Sequence, residues 1–404
     1  MRRLRIAVVS GEASGDELGA SLLRALKEKG VAFEAIGVGG PAMAAEGLIS
    51  LFPQSDIAVM GLGPVIRRLP LILRRIRETA AHIVDARPDI LITIDAPDFS
   101  KRVAKRVHRA ALGLPIVHWV CPSVWAWRPG RAPAMRAYVD HILCLLPFEP
   151  AALERLKGPA GTYIGHPLVE QIPAMRPRET GETAARENVA HPHLLVLPGS
   201  RLSEIRRLLP LFLDVLDLLE PAHPGLRPVI PTLPHLVPTI EALLGSWRDR
   251  IPLLTDPGAK RAAMRSARAA LAASGTVTLE LALAGIPMVA AYRVANWEAF
   301  IARRLITVSS AILPNIILGE NVVPEFIQEE ATAEKLTAAL GPLLAASPEF
   351  ERQKQAFVRL ETVMRATGRP PSEQAATLVL DLAAKAREGR GHEGPEDEQA
   401  RERN

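Results

Sequence analysis

The chain has 404 residues, which is enough for two ordinary domains. An apolar fraction of 48% and a mean hydropathy of +0.12 indicate a globular protein, and no apolar run reaches the roughly 18 residues of a membrane span. Cys121 and Cys144 are the only cysteines, too few for a disulfide framework or a cysteine-based metal site, and the N-terminus lacks a signal-peptide pattern. We therefore expect a cytoplasmic protein.

The net charge of +5 is unevenly distributed along the chain. Residues 1–170 hold 22 Lys and Arg against 16 Asp and Glu, whereas the remainder holds 27 against 28. The positive excess of the first half predicts an anionic partner there, which could be a phosphate, a nucleic acid or an anionic membrane.

The first predicted elements are a strand over Arg5–Ser10 and an amphipathic helix that starts in the turn 11–16. Ser14 and Asp16 are candidate caps of this helix. The glycine spacing does not match the dinucleotide-binding fingerprint. A second strand ends in a glycine loop over 37–40, so two loops that bring the backbone close to a ligand leave the same sheet edge.

Residues 64–77 combine helically spaced aliphatic side chains with five arginines, and Pro70 is expected to kink or restart the helix. One interpretation is a core-facing helix with a solvated basic face. The other is a segment that lies on anionic lipid.

Two carboxylates follow the apolar run Ile90–Ile94, which is typical of a buried parallel strand. Pro97 ends the strand, and Asp95 and Asp98 lie where the chain leaves the sheet, at the edge where α/β proteins bind ligands. A basic helix follows. Asp98 is interpreted either as a cap of that helix or as a general base.

The next predicted strand, Leu114–Val120, runs into a loop with two tryptophans, Trp125 and Trp127. A Pro-Ser-x-Trp-x-Trp-Arg loop at a strand exit is well placed to line a pocket. Strands near 140–145 and 162–164 follow. Residues 171–190, rich in Pro, Glu and Arg, are predicted to be a linker between the halves.

Two turns in the second half are predicted to bind phosphate. The strand His193–Leu197 ends in Pro198–Arg201 before a helix, where free N–H groups and the Arg201 guanidinium could hold an anion. A second turn, 274–276, follows a strand over Ala269–Ala273, and Glu280 is placed to accept hydrogen bonds from ribose hydroxyls. Together the turns favour a diphosphate ligand, although neither is a P-loop. The histidines are scattered, so we predict no metal-ligand cluster and no cofactor.

Seven motifs, taken together, resemble those of the bacterial lipid-A-disaccharide synthases over about residues 5–385. They are Ser10–Asp16, Asp95–Phe99, Pro122–Arg128, Leu146–Glu149, Gly165–Pro167, Leu197–Arg201, and Ser274–Thr276 with Glu280. The resemblance implies an α/β protein with the GT-B fold, two Rossmann-like domains facing each other across a cleft. The expected parts are an acceptor and membrane-facing domain (1–172), a UDP-sugar domain (190–348), C-terminal helices that could pack back on the first domain (349–388) and a disordered tail (389–404).

The resemblance also implies an inverting, metal-independent transfer of 2,3-diacylglucosamine from UDP to the 6-hydroxyl of 2,3-diacylglucosamine 1-phosphate. The family's proposed base falls on Asp98, and its diphosphate-contacting arginine falls on Arg201. The residues expected to bind substrate are Glu12, Ser14, Asp16, Asp89, Ser123, Trp125, Gly199, Ser200, Arg201, Ser274, Gly275, Thr276, Glu280 and Asn315.

The expected partners are the donor, the phosphorylated acceptor and the anionic cytosolic face of the inner membrane, without nucleic acid; a homodimer is allowed. The chain departs from the family pattern at Cys121, at Ser100 and loosely over 294–312. Two alternatives stay open: another GT-B enzyme of UDP-sugars, such as a UDP-N-acetylglucosamine 2-epimerase or the peptidoglycan transferase, and a non-catalytic nucleotide- or nucleic-acid-binding module.

Overall fold

A computed structural model describes residues 3–57, 62–294, 310–365 and 368–392. The chain divides into two compact units. The first consists of Met1–Gly165 together with Thr367–Asn404, and the second of His166–Ala366. The sequence also favours a mixed helix over 297–307, and that segment lies outside the described residues.

The first unit contains a parallel sheet of seven strands in the order β3-β2-β1-β4-β5-β6-β7. The strands are β1 Leu4–Ser10, β2 Phe33–Val38, β3 Ile49–Ser50, β4 Ile90–Ile94, β5 Ile116–Trp119, β6 His141–Cys144 and β7 Ala160–Tyr163. Every residue of β4 is buried, as expected for a strand that is covered on both faces.

Helices surround this sheet and are supplied by both ends of the chain. They are α1 Ala13–Glu28, α2 Pro41–Ala45, α3 Leu62–Ala86, α4 Pro97–Ala110, α5 Arg131–Met135, α6 Glu149–Arg155 and, after the second unit, α16 Pro371–His392. The last helix buries Ala375, Ala376 and Val379 in the same core cluster as Ile6 and Ile92. It continues to His392, four residues into the segment predicted to be a disordered tail.

The second unit repeats the plan with six parallel strands in the order β10-β9-β8-β11-β12-β13. The strands are β8 His193–Leu197, β9 Arg227–Pro231, β10 Leu253–Leu254, β11 Ala269–Ala273, β12 Met288–Tyr292 and β13 Glu325–Ile327. The helices are α7 Leu168–Met175, α8 Thr180–Glu187, α9 Leu202–Leu219, α10 Val237–Leu243, α11 Pro257–Ser266, α12 Thr276–Leu283, α13 Leu313–Leu318, α14 Ala333–Leu344 and α15 Pro348–Met364.

The predicted linker over 171–190 is wrong, because this segment forms most of α7 and α8 and belongs to the second unit. Arg186 of α8 donates hydrogen bonds to the carbonyl oxygens of Met264, Arg265 and Ala284, which lie at or near the C-terminal ends of α11 and α12. A cation at helix C-termini satisfies unpaired carbonyl groups. The charged composition of this stretch therefore serves packing rather than flexibility.

Each sheet reverses its strand order at one point, and ligands of open α/β sheets bind at the carboxyl ends of the strands that flank such a point. In the first sheet the reversal lies between β1 and β4, and in the second between β8 and β11. The strands that flank these two points end in the turns that the sequence singled out: 11–16 and 95–98, and 198–201 and 274–276.

Candidate functional site

The turns after β1 and β4 touch each other. An added Cβ on Gly11 would lie 2.6 Å from the Cβ of Ala96, so only glycine allows this approach. Asp95 and Ala96 both have left-handed backbone conformations, with φ of 46° and 41°. Left-handed conformations cost a non-glycine residue about 1–2 kcal/mol, and such strain concentrates at functional sites. The first switch point is therefore a tightly constructed turn that ends at Asp98.

Asp95 and Asp98 differ in their environment. Burial raises the pKa of Asp95, and a hydrogen bond from the Ala96 N–H partly offsets the increase. Asp98 is exposed in the first turn of α4, and its carboxylate forms no hydrogen bond or ion pair within the described part of the chain. Its interpretation as a helix cap is wrong, since the cap position is Ala96 and no side chain caps α4. The Asp98 oxygens are open to a ligand.

Two cations that the sequence analysis did not single out as site residues are Lys101, which interacts with Asp98, and Arg131, which interacts with Lys101. Burial lowers the pKa of Lys101, the charge of Arg131 lowers it further, and Asp98 raises it. Arg131 and Arg128 also lie over the exposed ring of Trp127, with guanidinium carbons 5.1 and 4.5 Å from its centroid. The only sequence signal for this cluster was the density of basic residues after the turn.

Asp16 does not cap α1, and neither does Ser14, which is exposed in the first turn of that helix. The Asp16 carboxylate is 3% exposed and accepts hydrogen bonds from the N–H groups of Gly40, Ala42 and Met43, at 2.7, 2.8 and 3.1 Å. It therefore fixes the loop after β2 to the first helix. Glu12, at the cap position of α1, is exposed.

Asp89 lies at the amino end of β4, whereas Asp98 follows its carboxyl end. The five-residue strand separates the two edges by about 16 Å. Asp89 is 3% exposed and accepts hydrogen bonds from the Arg5 N–H at 2.8 Å and from the Arg387 guanidinium at 3.0 and 2.6 Å. Its carboxylate thus joins β1, β4 and the last helix.

The tryptophan loop, residues 122–128, leaves the carboxyl end of β5. Ser123 is exposed, and its carbonyl accepts hydrogen bonds from the N–H groups of Ala126 and Trp127. Trp125 is half-buried and packs edge-on against Phe148, with ring centroids 4.8 Å apart. Its Nε1 donates to Glu149 at 3.2 Å. Burial raises the pKa of Glu149 to about 7, against the opposing effect of its hydrogen bonds.

The expectation of no metal-ligand cluster needs correction, because Cys121, Cys144 and Glu149 lie with their ligand-type atoms within 4.8 Å of one another. All three side chains are buried. The hydrogen bond with Cys144 and burial raise the pKa of Cys121, which keeps it a thiol, and both Glu149 oxygens already accept hydrogen bonds. With a neutral thiol and both carboxylate oxygens in use, the cluster offers a cation no free anionic ligand, and no metal or reaction step is assigned to it.

In the second unit, Gly199 has a φ of 115° and turns the chain from β8 into α9. The N–H groups of Ser200 and Arg201, predicted to be free, donate to Oε2 of Glu204 at 3.0 and 3.2 Å. The prediction missed this because a glutamate in the first turn of a helix can bond back to the residues before it. The Arg201 side chain is 68% exposed and reaches Oε1 of Glu204 at 3.1 Å.

The second predicted phosphate turn is more open. Gly275 and Thr276 are exposed, and a Cβ added to Gly275 would meet no atom of the described residues within 4 Å. The Ser274 hydroxyl donates to the Ala311 carbonyl at 2.9 Å. Glu280 is mostly buried and bonded to Lys260 Nζ at 2.9 and 3.0 Å, a partner that the sequence did not reveal.

Asn315, in α13, is 2% exposed, and its amide forms three hydrogen bonds with the turn before β13. It donates to the Val323 carbonyl and accepts hydrogen bonds from the N–H groups of Val322 and Val323. Asn315 therefore fixes the turn before β13. It lies four residues after Ala311, whose carbonyl accepts the hydrogen bond from the Ser274 hydroxyl.

The basic helix α3 continues through Pro70, so the helix does not restart there. Ile76 is buried, and Ile72 and Leu73 pack against the core of the first unit, whereas Leu69 is 42% exposed. Arg75 is held by Asp56 at 2.6 Å and Glu78 at 2.7 Å. The core-facing interpretation is therefore correct for the last turns of this segment. Val65 and Arg67 lie among residues 62–67, whose side chains are outside the described set.

Comparison with known proteins identifies the family. Residues 6–379 match the model of the lipid-A-disaccharide synthetase family. The lipid-A-disaccharide synthase of Nitrobacter winogradskyi is 52% identical over 386 residues, which are 95% of this chain and 96% of that protein. This chain belongs to the lipid-A-disaccharide synthase family. The Rhodospirillum centenum synthase is 41% identical over 389 residues, covering 95% of this chain and 96% of that protein. A member of this family is a glycosyltransferase, so the predicted enzyme class is confirmed.

Solved structures confirm the predicted GT-B fold. The glycosyltransferase of kitacinnamycin has a TM-score of 0.60 at 17% identity and covers 95% of this chain and 100% of that one. The UDP-GlcNAc 2-epimerase of Neisseria meningitidis, solved with UDP-GlcNAc, has a TM-score of 0.56 at 11% identity, with coverage of 95% and 100%. Identities this low concern the fold alone. Among the described residues, no helix is both long and apolar enough to cross a bilayer.

Proposed function

We propose that this chain transfers 2,3-diacylglucosamine from its UDP derivative to the 6-hydroxyl of 2,3-diacylglucosamine 1-phosphate. The products are the β-1,6-linked disaccharide 1-phosphate and UDP. Membership of the family supports the reaction class. The observation that carries the assignment is Asp98, an exposed carboxylate at the switch point of the first sheet that accepts no hydrogen bond from the described residues.

Asp98 is proposed to accept the proton of the acceptor hydroxyl. As the proton leaves, the hydroxyl oxygen bonds to the anomeric carbon of the donor from the face opposite UDP. The bond between that carbon and the diphosphate oxygen breaks, and its electron pair leaves with UDP. The neighbouring cations, Lys101 and Arg131, would attract the acceptor's 1-phosphate.

The second unit is proposed to bind UDP at the exits of β8 and β11, which are adjacent parallel strands. Glu204 accepts hydrogen bonds from the N–H groups of Ser200 and Arg201, so these groups are not available to a phosphate. The open turn 274–276 is therefore a better binding site for the diphosphate than the turn 198–201. The exposed Arg201 guanidinium would stabilise the charge that develops on the leaving group. Glu280, oriented by Lys260, would bind the ribose.

The test is a transfer assay with acylated and non-acylated acceptors, combined with UDP titration. Asp98→Asn keeps the side-chain shape but removes the proton acceptor, so turnover should fall about 100-fold or more while UDP affinity is unchanged. Arg201→Ala should weaken UDP binding by about 1.5–3 kcal/mol. Asp85→Asn, a change at a second exposed acid of the first unit, is the control. Transfer at the parental rate by Asp98→Asn would remove Asp98 from the mechanism. Turnover of non-acylated sugars alone would favour another GT-B enzyme.

The acylated acceptor implies an anionic membrane surface as partner, and the exposed face of α3 is proposed to contact it. Leu69 is exposed, as are Arg74 and Arg77. Leu69→Ser should lower binding to anionic vesicles several-fold, because each inserted methylene contributes about 0.8 kcal/mol. Arg74→Gln with Arg77→Gln should weaken binding mainly at low salt. Val358→Ser, at a 63% exposed position of the second unit, is the control. Equal co-sedimentation of all these variants would exclude this face.

A further inference from the structure

A buried carboxylate, that of Glu149, contributes to the attachment of the tryptophan loop, together with the core packing of Val124 and the contact of Trp125 with Phe148. Glu149 is the first residue of α6 and is 3% exposed. Its Oε1 accepts the hydrogen bond from Trp125 Nε1 at 3.2 Å. Its Oε2 accepts hydrogen bonds from the N–H groups of Leu145 and Leu146, at 3.1 and 3.0 Å. One side chain therefore links the loop after β5 to the chain that leaves β6.

These contacts require a carboxylate rather than an amide. Three N–H donors converge on the two oxygens of the carboxyl group, and both oxygens can accept, whereas an amide has a single oxygen. A glutamine would turn an N–H₂ group towards at least one of these donors. Because the site is buried, the unpaired donor would lose its hydrogen bond without gaining one from water.

Phe148 and Glu149 both contact the ring of Trp125 and help to fix it. The edge-on packing against Phe148, at 4.8 Å and 90°, sets the plane of the ring, and the hydrogen bond to Glu149 sets its direction within that plane. The adjacent Ser123 and Trp127 are exposed at the same strand exit. The conformation of the exposed part of the loop thus depends on a residue that solvent barely reaches.

We infer that Glu149 is a positioning residue for acceptor binding, which acts by holding the tryptophan loop and touches no reacting atom. This inference rests on the proposed function, in which the first unit binds the acceptor. Glu149 raises acceptor affinity by keeping the loop in its binding conformation before the acceptor arrives. The competing explanation is that Glu149 only stabilises the start of α6, in which case its loss changes stability and leaves the acceptor KM unchanged.

The experiment compares Glu149→Gln, Trp125→Phe and the double variant in the transfer assay, with separate UDP titrations. Trp125→Phe removes the N–H donor and keeps an aromatic ring against Phe148. A matched control exists in the second unit, where Trp247 Nε1 donates to Asp217 at 2.8 Å, so Trp247→Phe removes the same kind of bond elsewhere. Each single variant in the first unit should raise the acceptor KM about tenfold, the effect of one hydrogen bond to a charged group. The double variant should be no worse than the more affected single one, since both remove the same contact.

The UDP affinity of these variants should match the parent, and Trp247→Phe should leave the acceptor KM within twofold. The inference is overturned if Glu149→Gln and Trp125→Phe melt at lower temperature with an unchanged acceptor KM, or if the double variant shows the product of two independent effects. Trp125→Phe keeps the test decisive if Glu149→Gln does not fold. A parent protein that transfers no sugar to the acylated acceptor would refute the proposed function instead, which is a distinct result.

Discussion

Replacing Asp16 by asparagine separates a binding role from a positioning role for this acid. The side chain sits in α1 but accepts three hydrogen bonds from the loop after β2. Asparagine keeps one oxygen, which still faces Gly40 and Met43, but its N–H₂ group would meet the Ala42 N–H. Two bonds lose their ionic component at about 1 kcal/mol each, and one buried donor is left unpaired at about 1–3 kcal/mol. We expect a total loss of about 3–5 kcal/mol of local stability.

Hydrogen exchange of a peptide covering 38–47 is the direct measurement, with Glu17→Gln as the control at an exposed acid of the same helix. Exchange at Gly40, Ala42 and Met43 should accelerate in Asp16→Asn and remain parental in Glu17→Gln. The acceptor KM, measured well below the melting temperature, should change less than threefold because Asp16 is 3% exposed. Unchanged exchange together with a large loss of acceptor affinity would refute this reasoning and return Asp16 to the binding residues.

Two further predictions concern Glu280 and His118. Lys260→Met removes the partner that orients Glu280, so the UDP affinity measured by calorimetry should fall, but less than in Glu280→Gln. The control is Lys335→Met, which breaks the exposed ion pair with Glu330. Parental UDP affinity in both Lys260→Met and Glu280→Gln would exclude Glu280 from the site. Burial lowers the pKa of His118 from 6.5 to about 3. Below pH 6.5 the imidazole therefore binds a proton in the unfolded chain but not in the folded protein, and the free energy of unfolding falls as the pH decreases. At pH 5 this costs about 2 kcal/mol. Urea unfolding measures the free energy of unfolding at pH 7.5 and at pH 5. The loss of this free energy between the two pH values should be smaller in His118→Gln than in the parent or in the exposed control His82→Gln. An equal loss in all three proteins would contradict the conclusion that His118 causes it.

The sheet cores and the turns at their carboxyl ends were predictable from sequence. A parallel strand that is covered on both faces is a continuous apolar run, as in Ile90–Ile94, and a turn rich in glycine or acids marks its end. The reversal of strand order was not predictable, because it depends on which strands pair. Only the observed pairings of β1 with β4 and of β8 with β11 show that the chosen turns flank the two switch points.

The partners of the acidic residues were not predictable either. Asp89 bonds with Arg387, which lies 298 positions further along the chain, and Glu280 bonds with Lys260. In sequence, Asp89 and Asp98 are equally plausible as site residues, because both flank the same apolar run. The fold distinguishes them, since one precedes the strand and the other follows it, and the two edges of a sheet differ in function.

Burial and hydrogen bonding together indicate which acid of the first unit is free to do chemistry. A carboxylate that accepts bonds from several N–H groups has few lone pairs left and is held in one orientation, so it stabilises structure and makes a poor proton acceptor. Asp16 and Asp89 are of this kind. Glu149 is held in the same way and is 3% exposed, although burial raises its pKa to about 7. Asp98 is exposed and, within the described residues, has no donor bound to it. A hydroxyl that enters at this switch point would therefore meet a carboxylate that no described donor occupies. Asp16 and Glu149 hold the loops after β2 and β5, whereas Asp89 joins β1, β4 and α16 at the opposite edge of the sheet.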